Sequence, residues 1–464
     1  MKHAWFLVSV CLSILVPSSA AESADVLSSY VALAWSAKES KTMALARAIT
    51  SSSQTPPSLT VNGKAVTMTA RANPDTTAFP VTVWEAVMPM GAEATLAGTA
   101  LPVPKSDPQS VAIVGDSGCK SDQGCDQEAT WPFPEICAEA ATRKPDLVIH
   151  VGDYNYRGTP SHSPPGNKAW VYDGCGDDFL KQETKSMPYG DNWETWNLDF
   201  FTPAKPLLAS SPWAITRGNH ELCARAGVGW FYLLEPSSPL LATDYTANPC
   251  TGRNAYTMPA YALALDNLNL LMIDTANLCG WALDESEVPT YTKVYARMLA
   301  LADTDADWLV AHRPLVVMGS PTAAQPVPGI TQTAFEGNIT MTAVLKEPEL
   351  KGWAQKIDMM VNGHVHLFQY LYAPQGQMPP EFIVGNSGVR LDTSTLNGPA
   401  STTDPAPGGQ ISLLGSVHAE FGYLLLASDP SLRWTATLHA PNGNILETFM
   451  PFAPAAKSGK TAGH

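Results

Sequence analysis

At 464 residues, with 45% hydrophobic and 15% charged residues, the chain is too long for one small core and too apolar to stay disordered. Its formal net charge of −15 leaves no basic surplus to displace counterions, which excludes a nucleic-acid polymer as the natural partner. A small phosphate ester, which a local metal ion or arginine can bind, stays open as a substrate.

The first residues read MKHAWFLVSVCLSILVPSSAAES. Lys2 and His3 precede an apolar block, Ala4 to Val16, and small residues come next at Ser18 and Ala20. This pattern predicts that residues 1–20 are a cleaved signal peptide and that the mature protein is secreted or periplasmic. No later run approaches about 18 apolar residues, so no stable membrane insertion is expected. Beyond Cys11 the cysteines are Cys119, Cys125, Cys137, Cys175, Cys223, Cys250 and Cys279. In an oxidising compartment they predict disulfides, with Cys223–Cys250 and a bridge among Cys119, Cys125, Cys137 and Cys175 as candidates. The odd count leaves at least one thiol unpaired or intermolecular, and no pair has the CxxC spacing of a structural zinc site.

Residues 25–105 hold short β-type runs such as VALAWS, ALARAIT and VTVWEAV, separated by NG, NPD and PMG turn signals. They predict a small all-β sandwich domain. LPVPKSDPQS, with three prolines, reads as a linker. Residues 110–453 change pattern: VAIVG, LVIHVG, WAIT, LNLLMID, WLVA, MMVNG and FIVGN are buried-strand runs, with helices expected at 127–144, 291–302 and 342–356. Short apolar runs alternating with helices predict an α/β catalytic domain. The Thr-, Pro- and Gly-rich stretch 392–412 reads as a surface loop, 420–452 as strands, and 454–464 as a disordered tail.

The residues just past the end of each apolar run carry the chemistry. VAIV leads to GDSG with Asp116, and LVIHV to GDYNYRG with Asp153, Tyr156 and Arg157. WAIT leads to RGNHE with Asn219 and His220, WLVA to His312, and MMVN to GHVH with His364 and His366. In α/β sheets ligands bind outside the carboxyl ends of strands, so these segments predict one crevice rich in oxygen and nitrogen donors. Such a set without thiolates suits zinc, iron or manganese. Gly115, Gly152, Gly218 and Gly363 precede the ligands, where a missing Cβ permits a sharp turn and close approach. If GHVH is extended, its two histidines share a side.

This ordered set resembles the calcineurin-like metallophosphoesterases, whose pattern runs D-x-G, GD, GNH with an acid, a lone His, and GHxH. All five elements occur in order from Asp116 to His366. Metal-dependent protein phosphatases carry an aspartate where GDYNYRG has Tyr156, whereas purple acid phosphatases carry a ligand tyrosine at that spacing. The GHVH and AHRP segments and the preceding β region also look like the purple-acid branch. The resemblance implies a β-sandwich flanked by helices (αββα). It implies Asp116, Asp153, Tyr156 and His366 around a first metal, expected to be Fe(III). Asp153, Asn219, His312 and His364 would surround a second, expected to be Zn, Mn or Fe(II). The implied activity is hydrolysis of phosphate monoesters by a metal-bound hydroxide. The alternative is a phosphodiesterase acting on nucleotide or lipid head-group esters with the same site. A relic site beside a binding module is disfavoured by the complete ligand set.

Asn219, His220 and Arg157 are the expected phosphate-binding residues, with His220 also placed to protonate the leaving alcohol. Glu221 can orient His220 or contact an outer-shell group. Plant-type members carry further histidines after the lone His; here none lies between His312 and His364. His150, inside a strand, reads as buried structure, and His162 as solvent-facing. Asn338 heads an NIT sequon.

Overall fold

The computed structural model describes residues 25–452 except 52–54, 72–76, 121–122, 158–189, 224, 243–245, 247, 251–255, 281–282, 303–305, 319–334, 393, 395–396, 407–408 and 432. The expected signal peptide, the tail and His162 lie outside the described residues. Each of the seven apolar runs from VAIVG to FIVGN forms a strand. Two large sheets result, stacked face to face.

The first sheet has ten strands. At its centre Ser110–Val114, Leu147–His150 and Trp213–Ile215 run parallel, and Tyr423–Ser428, Trp434–His439 and Ile445–Phe452 extend one side antiparallel. The second sheet has eight strands. Its centre is four parallel strands, Asn269–Met272, Asp307–Val310, Met359–Asn362 and Glu381–Val384.

Alternation along these strands builds the layers. Val111, Ile113, Leu147 and Ile149 of one sheet meet Leu270, Met272, Trp308, Val310, Met359 and Val361 of the other in a shared core. The opposite residues, Ala112, Val114 and Val148, pack under the helices Phe133–Arg143 and Thr202–Ser210 through Ile136, Ala140, Leu207 and Leu208. Leu271, Leu309, Met360 and Ile383 pack under the helix Val288–Leu301 through Tyr291, Tyr295 and Met298. Both faces of each sheet are buried, which is why the central strands read as continuous apolar runs. The order helix, sheet, sheet, helix is the expected αββα architecture.

The N-terminal region is all β, as expected, and its strands divide. Lys64–Val66, Leu59–Val61, Ala94–Leu96 and Thr99–Leu101 form a separate four-stranded sheet. Val26–Ser36, Lys41–Ser51, Val81–Met88 and Thr69–Ala70 instead continue the ten-stranded sheet, through the parallel pair Ala32 and Trp213.

Three expectations need correction. The helix expected at 127–144 starts at Phe133, because Pro132 caps it and Pro134 is tolerated only in a first turn. The helix expected at 342–356 runs Ile339–Val344 and gives way to single turns at Pro348–Leu350 and Trp353–Gln355. Pro348 and Gly352, at φ 80°, interrupt it. The stretch 392–412 is not a loop throughout: Gly398–Ala406 pairs with Gly409–His418 as a hairpin at the sheet edge, the position where a strand tolerates a residue such as Pro405.

Cys119–Cys125 and Cys223–Cys250 are disulfides, and Cys137 is a free thiol on the buried face of the helix Phe133–Arg143. Asn338 caps the helix Ile339–Val344 by accepting the Met341 N–H, and is buried, which does not suit a glycosylation acceptor.

Candidate metal centre

The carboxyl ends of the parallel strands in both sheets open on one side, and the loops leaving them converge there. Asp116 follows Ser110–Val114, Asp153 follows Leu147–His150, and Asn219 follows Trp213–Ile215. His312 follows Asp307–Val310, and His364 and His366 follow Met359–Asn362. Turning a chain this sharply has a backbone cost. Asp116, Asp153 and His364 all hold left-handed φ, at 52°, 60° and 73°. Strain of that kind collects at functional sites.

The glycines act as their positions suggest. Gly152 has φ 101°, and a Cβ there would lie 2.6 Å from His312 Nδ1. At Gly218 a Cβ would run into the Asp153 carboxylate.

The side chains form two adjoining groups. In the first, the Tyr156 hydroxyl lies 3.1 Å from Asp116 Oδ1, 2.8 Å from Asp153 Oδ2 and 3.1 Å from His366 Nε2. In the second, Asn219 Oδ1 lies 2.8 Å from His312 Nε2 and 2.9 Å from His364 Nδ1. His312 Nε2 is also 3.3 Å from Asp153 Oδ2. Asp153 thus touches both groups. Asp153, His312 and His364 can each aim one donor atom into a space where all three lie within 4.8 Å. The segment Gly363–His366 is bent rather than extended, so its two histidines serve different groups.

Lone pairs outnumber protons here. In the first group one phenolic proton faces two carboxylate oxygens and an imidazole nitrogen. In the second, His312 donates its Nδ1–H to Val151 O at 2.8 Å, which turns Nε2 toward the oxygens of Asn219 and Asp153. Burial, and then the neighbouring Asp153, push the Asp116 carboxyl well above the usual range. Burial followed by the Asp153 and Asp116 charges pushes the Tyr156 phenol up as well. A cation among these donors relieves both penalties, and hard oxygen with imidazole nitrogen is a fitting set for one.

The His220 ring packs against Tyr156, with centroids 3.7 Å apart and planes tilted by 33°, and its backbone N–H donates to Asp153 Oδ1 at 2.8 Å. Burial, and then the Arg225 charge, hold its pKa well below the ordinary value, so the ring is neutral. Glu221 holds the GDYN turn: it accepts the N–H groups of Gly218, Asp153, Tyr154 and Asn155 at 2.8 to 3.1 Å. Arg157 gives its Nε and backbone N–H to the buried Asp199, at 2.8 and 2.6 Å, and lies over Trp131. A phosphate-facing role for it is left to its terminal nitrogens.

His150 is structural, as expected: it accepts the Gly152 N–H at 3.1 Å and meets Ser117 Oγ at 2.9 Å. Three further groups stand at the site, none of them among the expected site residues. Arg225 Nη2 lies 3.0 Å from His220 Nε2, and Arg313 Nη1 lies 3.0 Å from His364 Nε2. Asp392 accepts the His366 N–H at 3.0 Å. Arg313 directly follows His312 in the AHRP segment, the one sequence hint among them.

A family model described as Calcineurin-like phosphoesterase matches residues 110–368, a stretch that contains Asp116 to His366. No curated protein matches the chain. Among solved structures, purple acid phosphatase PPD1 from seeds of yellow lupin (Lupinus luteus) is similar with a TM-score of 0.56 and 14% identity, over 92% of this chain and 74% of that one. A structure of PhoD is similar with a TM-score of 0.52 and 10% identity, over 92% of this chain and 89% of that one. At such identities the likeness concerns the fold.

Proposed function

The chain belongs to the calcineurin-like phosphoesterase family, and on that premise we propose that it is an exported phosphomonoesterase with a two-metal, purple-acid-type site. Asp116, Asp153, Tyr156 and His366 hold the first ion, Fe(III). Asp153, Asn219, His312 and His364 hold the second, Zn, Mn or Fe(II). The observation that carries the reading is Asp153, whose Oδ2 stands 2.8 Å from the Tyr156 hydroxyl and 3.3 Å from His312 Nε2. One buried carboxylate at the seam of two donor groups is what a shared ligand requires.

The ions supply Lewis acidity toward a phosphoryl oxygen and an activated water. The chain's own groups do the rest. Glu221 fixes the turn that presents Asp153 and Tyr156 together. Tyr156 and the Asp153 oxygen fix the plane and height of His220. From there His220 contacts the phosphoryl group or the leaving oxygen, and Asn219 shares the same short loop. Arg157 steadies the phosphate from the rim through its terminal nitrogens. The disulfides Cys119–Cys125 and Cys223–Cys250 and the apolar N-terminal stretch support export.

Metal analysis with an absorption spectrum tests the site. Two ions per chain are expected, with a visible charge-transfer band that Tyr156→Phe removes while the fold persists. An unchanged band contradicts a phenolate ligand. A chromogenic monoester compared with its bis-ester tests the substrate class, and faster turnover of the bis-ester favours the phosphodiesterase.

A further inference from the structure

We propose that Asp392 is a positioning residue that sets the ring of His366 for the first metal; this rests on the two-metal reading of the site. Three contacts join the two residues. The His366 N–H donates to Asp392 Oδ2 at 3.0 Å, the Asp392 N–H donates to His366 O at 3.1 Å, and the buried His366 Nδ1, which makes no hydrogen bond among the described residues, has Asp392 Oδ1 as its carboxylate neighbour 3.5 Å away. A carboxylate only accepts, so it favours the proton on Nδ1. The lone pair is then on Nε2, the atom 3.1 Å from the Tyr156 hydroxyl and 3.7 Å from Asp116 Oδ1. A carboxylate behind a ligating imidazole fixes both its tautomer and its direction.

The carboxylate can do this because its own loop is held. The segment from Gly385 to Asp392 leaves the strand Glu381–Val384 and is stitched to the Asp116 loop. The Val389 N–H donates to Asp116 O at 2.8 Å, and the Arg390 N–H donates to Gln123 Oε1 at 2.8 Å. Gln123 returns a bond from Nε2 to Gly388 O at 2.7 Å. Gln123 in turn sits inside the loop closed by Cys119–Cys125. Asp116 and Asp392 are therefore registered against each other by main-chain bonds, and His366 lies between them. Supporting groups held this way preserve ligand geometry.

The experiment is chelator competition on the zinc-loaded full-length protein, resolving two dissociation constants for wild type, Asp392→Asn, Asp392→Ala and Asp392→Glu. Asn presents an N–H where Nδ1–H needs an acceptor. In Asp392→Asn and Asp392→Ala, one ion is expected to bind about 10- to 100-fold more weakly, the other far less so. Asp392→Glu restores part of the loss, and the unfolding midpoint in excess zinc is unchanged. Unaltered affinities in the Asn and Ala variants overturn the proposal. So does parallel weakening of both ions with a lower midpoint in excess zinc, which marks a scaffold role. Wild-type protein that fails to bind two ions overturns the two-metal reading itself, and this inference with it.

Discussion

Asp153 carries more of the site than any other residue, and substitution exposes that. Its Oδ2 faces Tyr156 and His312, and its Oδ1 accepts the His220 N–H. Asp153→Ala is expected to lose both metal ions together, measured as metal per chain, whereas His364→Ala keeps the first. A variant with full metal content contradicts a bridging role. His220 makes a different prediction. His220 is neutral in the structure, so it can protonate a leaving oxygen only after taking up a proton; if it does so, His220→Ala lowers kcat on alkyl phosphates by about 10²-fold or more and far less on nitrophenyl phosphate, whose leaving group needs no proton. Equal losses on both substrates assign it to phosphate contact alone. The candidate metal-binding residues were legible because each lies just past an apolar strand, inside a short motif. Arg225 and Asp392 were not: their loops have no periodicity, and their partners lie 5 and 26 residues away with no motif between.

Among the elements, the strand Glu381–Val384 holds a titratable group in the core. Glu381 accepts the N–H groups of Leu315 and Val316 at 2.8 and 3.2 Å, which anchors the chain just past His312. Burial outweighs those bonds and pushes its carboxyl up to about 8 from 4.5. The folded protein therefore holds this proton where the unfolded chain releases it. The group's contribution to stability is intact below about pH 4.5 and falls as pH rises toward 8, by an amount on the order of a few kcal/mol. Urea midpoints measured from pH 4.5 to 8 in Glu381→Gln should lack this decline; an identical slope in both proteins assigns it elsewhere. The strand itself was readable from FIVGN, and the acid was not, because a carboxylate at a strand start ordinarily faces solvent. The helix expected at 342–356 failed for a local reason. The apolar spacing continued past Pro348, and periodicity alone does not register the missing N–H. The hairpin inside 392–412 failed because composition marked turns, while Thr402 and Thr403, good β formers, were paired by a neighbouring strand that the local sequence did not reveal.

At the scale of the molecule, the order of sheets and helices was legible, and the way the N-terminal region joins them was not. Sequence marks a proline-rich boundary near residue 105, yet core packing crosses it: Val31, Leu33 and Trp84 belong to the same apolar cluster as Val111 and Ile113. A buried ionic network crosses it as well. Glu85 meets Arg47 and Arg71, and Arg71 reaches Glu235 Oε2 at 2.5 Å. Arg47 also donates to the main-chain oxygens of Leu234 and Glu235 at 3.0 and 2.6 Å. Those acceptors end the helix Gly227–Leu233, which follows the loop of Asn219 and His220. The N-terminal strands thus buttress the loop that carries two site residues. Removing one partner of a buried network strands the others, a loss of about 3–5 kcal/mol. Glu85→Ala is therefore expected to lower the stability of the whole chain by that amount, in a single calorimetric transition, with activity lost at the same temperature as the fold. Two separate transitions in wild type, with only the first displaced by Glu85→Ala, show instead that the N-terminal region melts as an independent domain and that the network stops at its border.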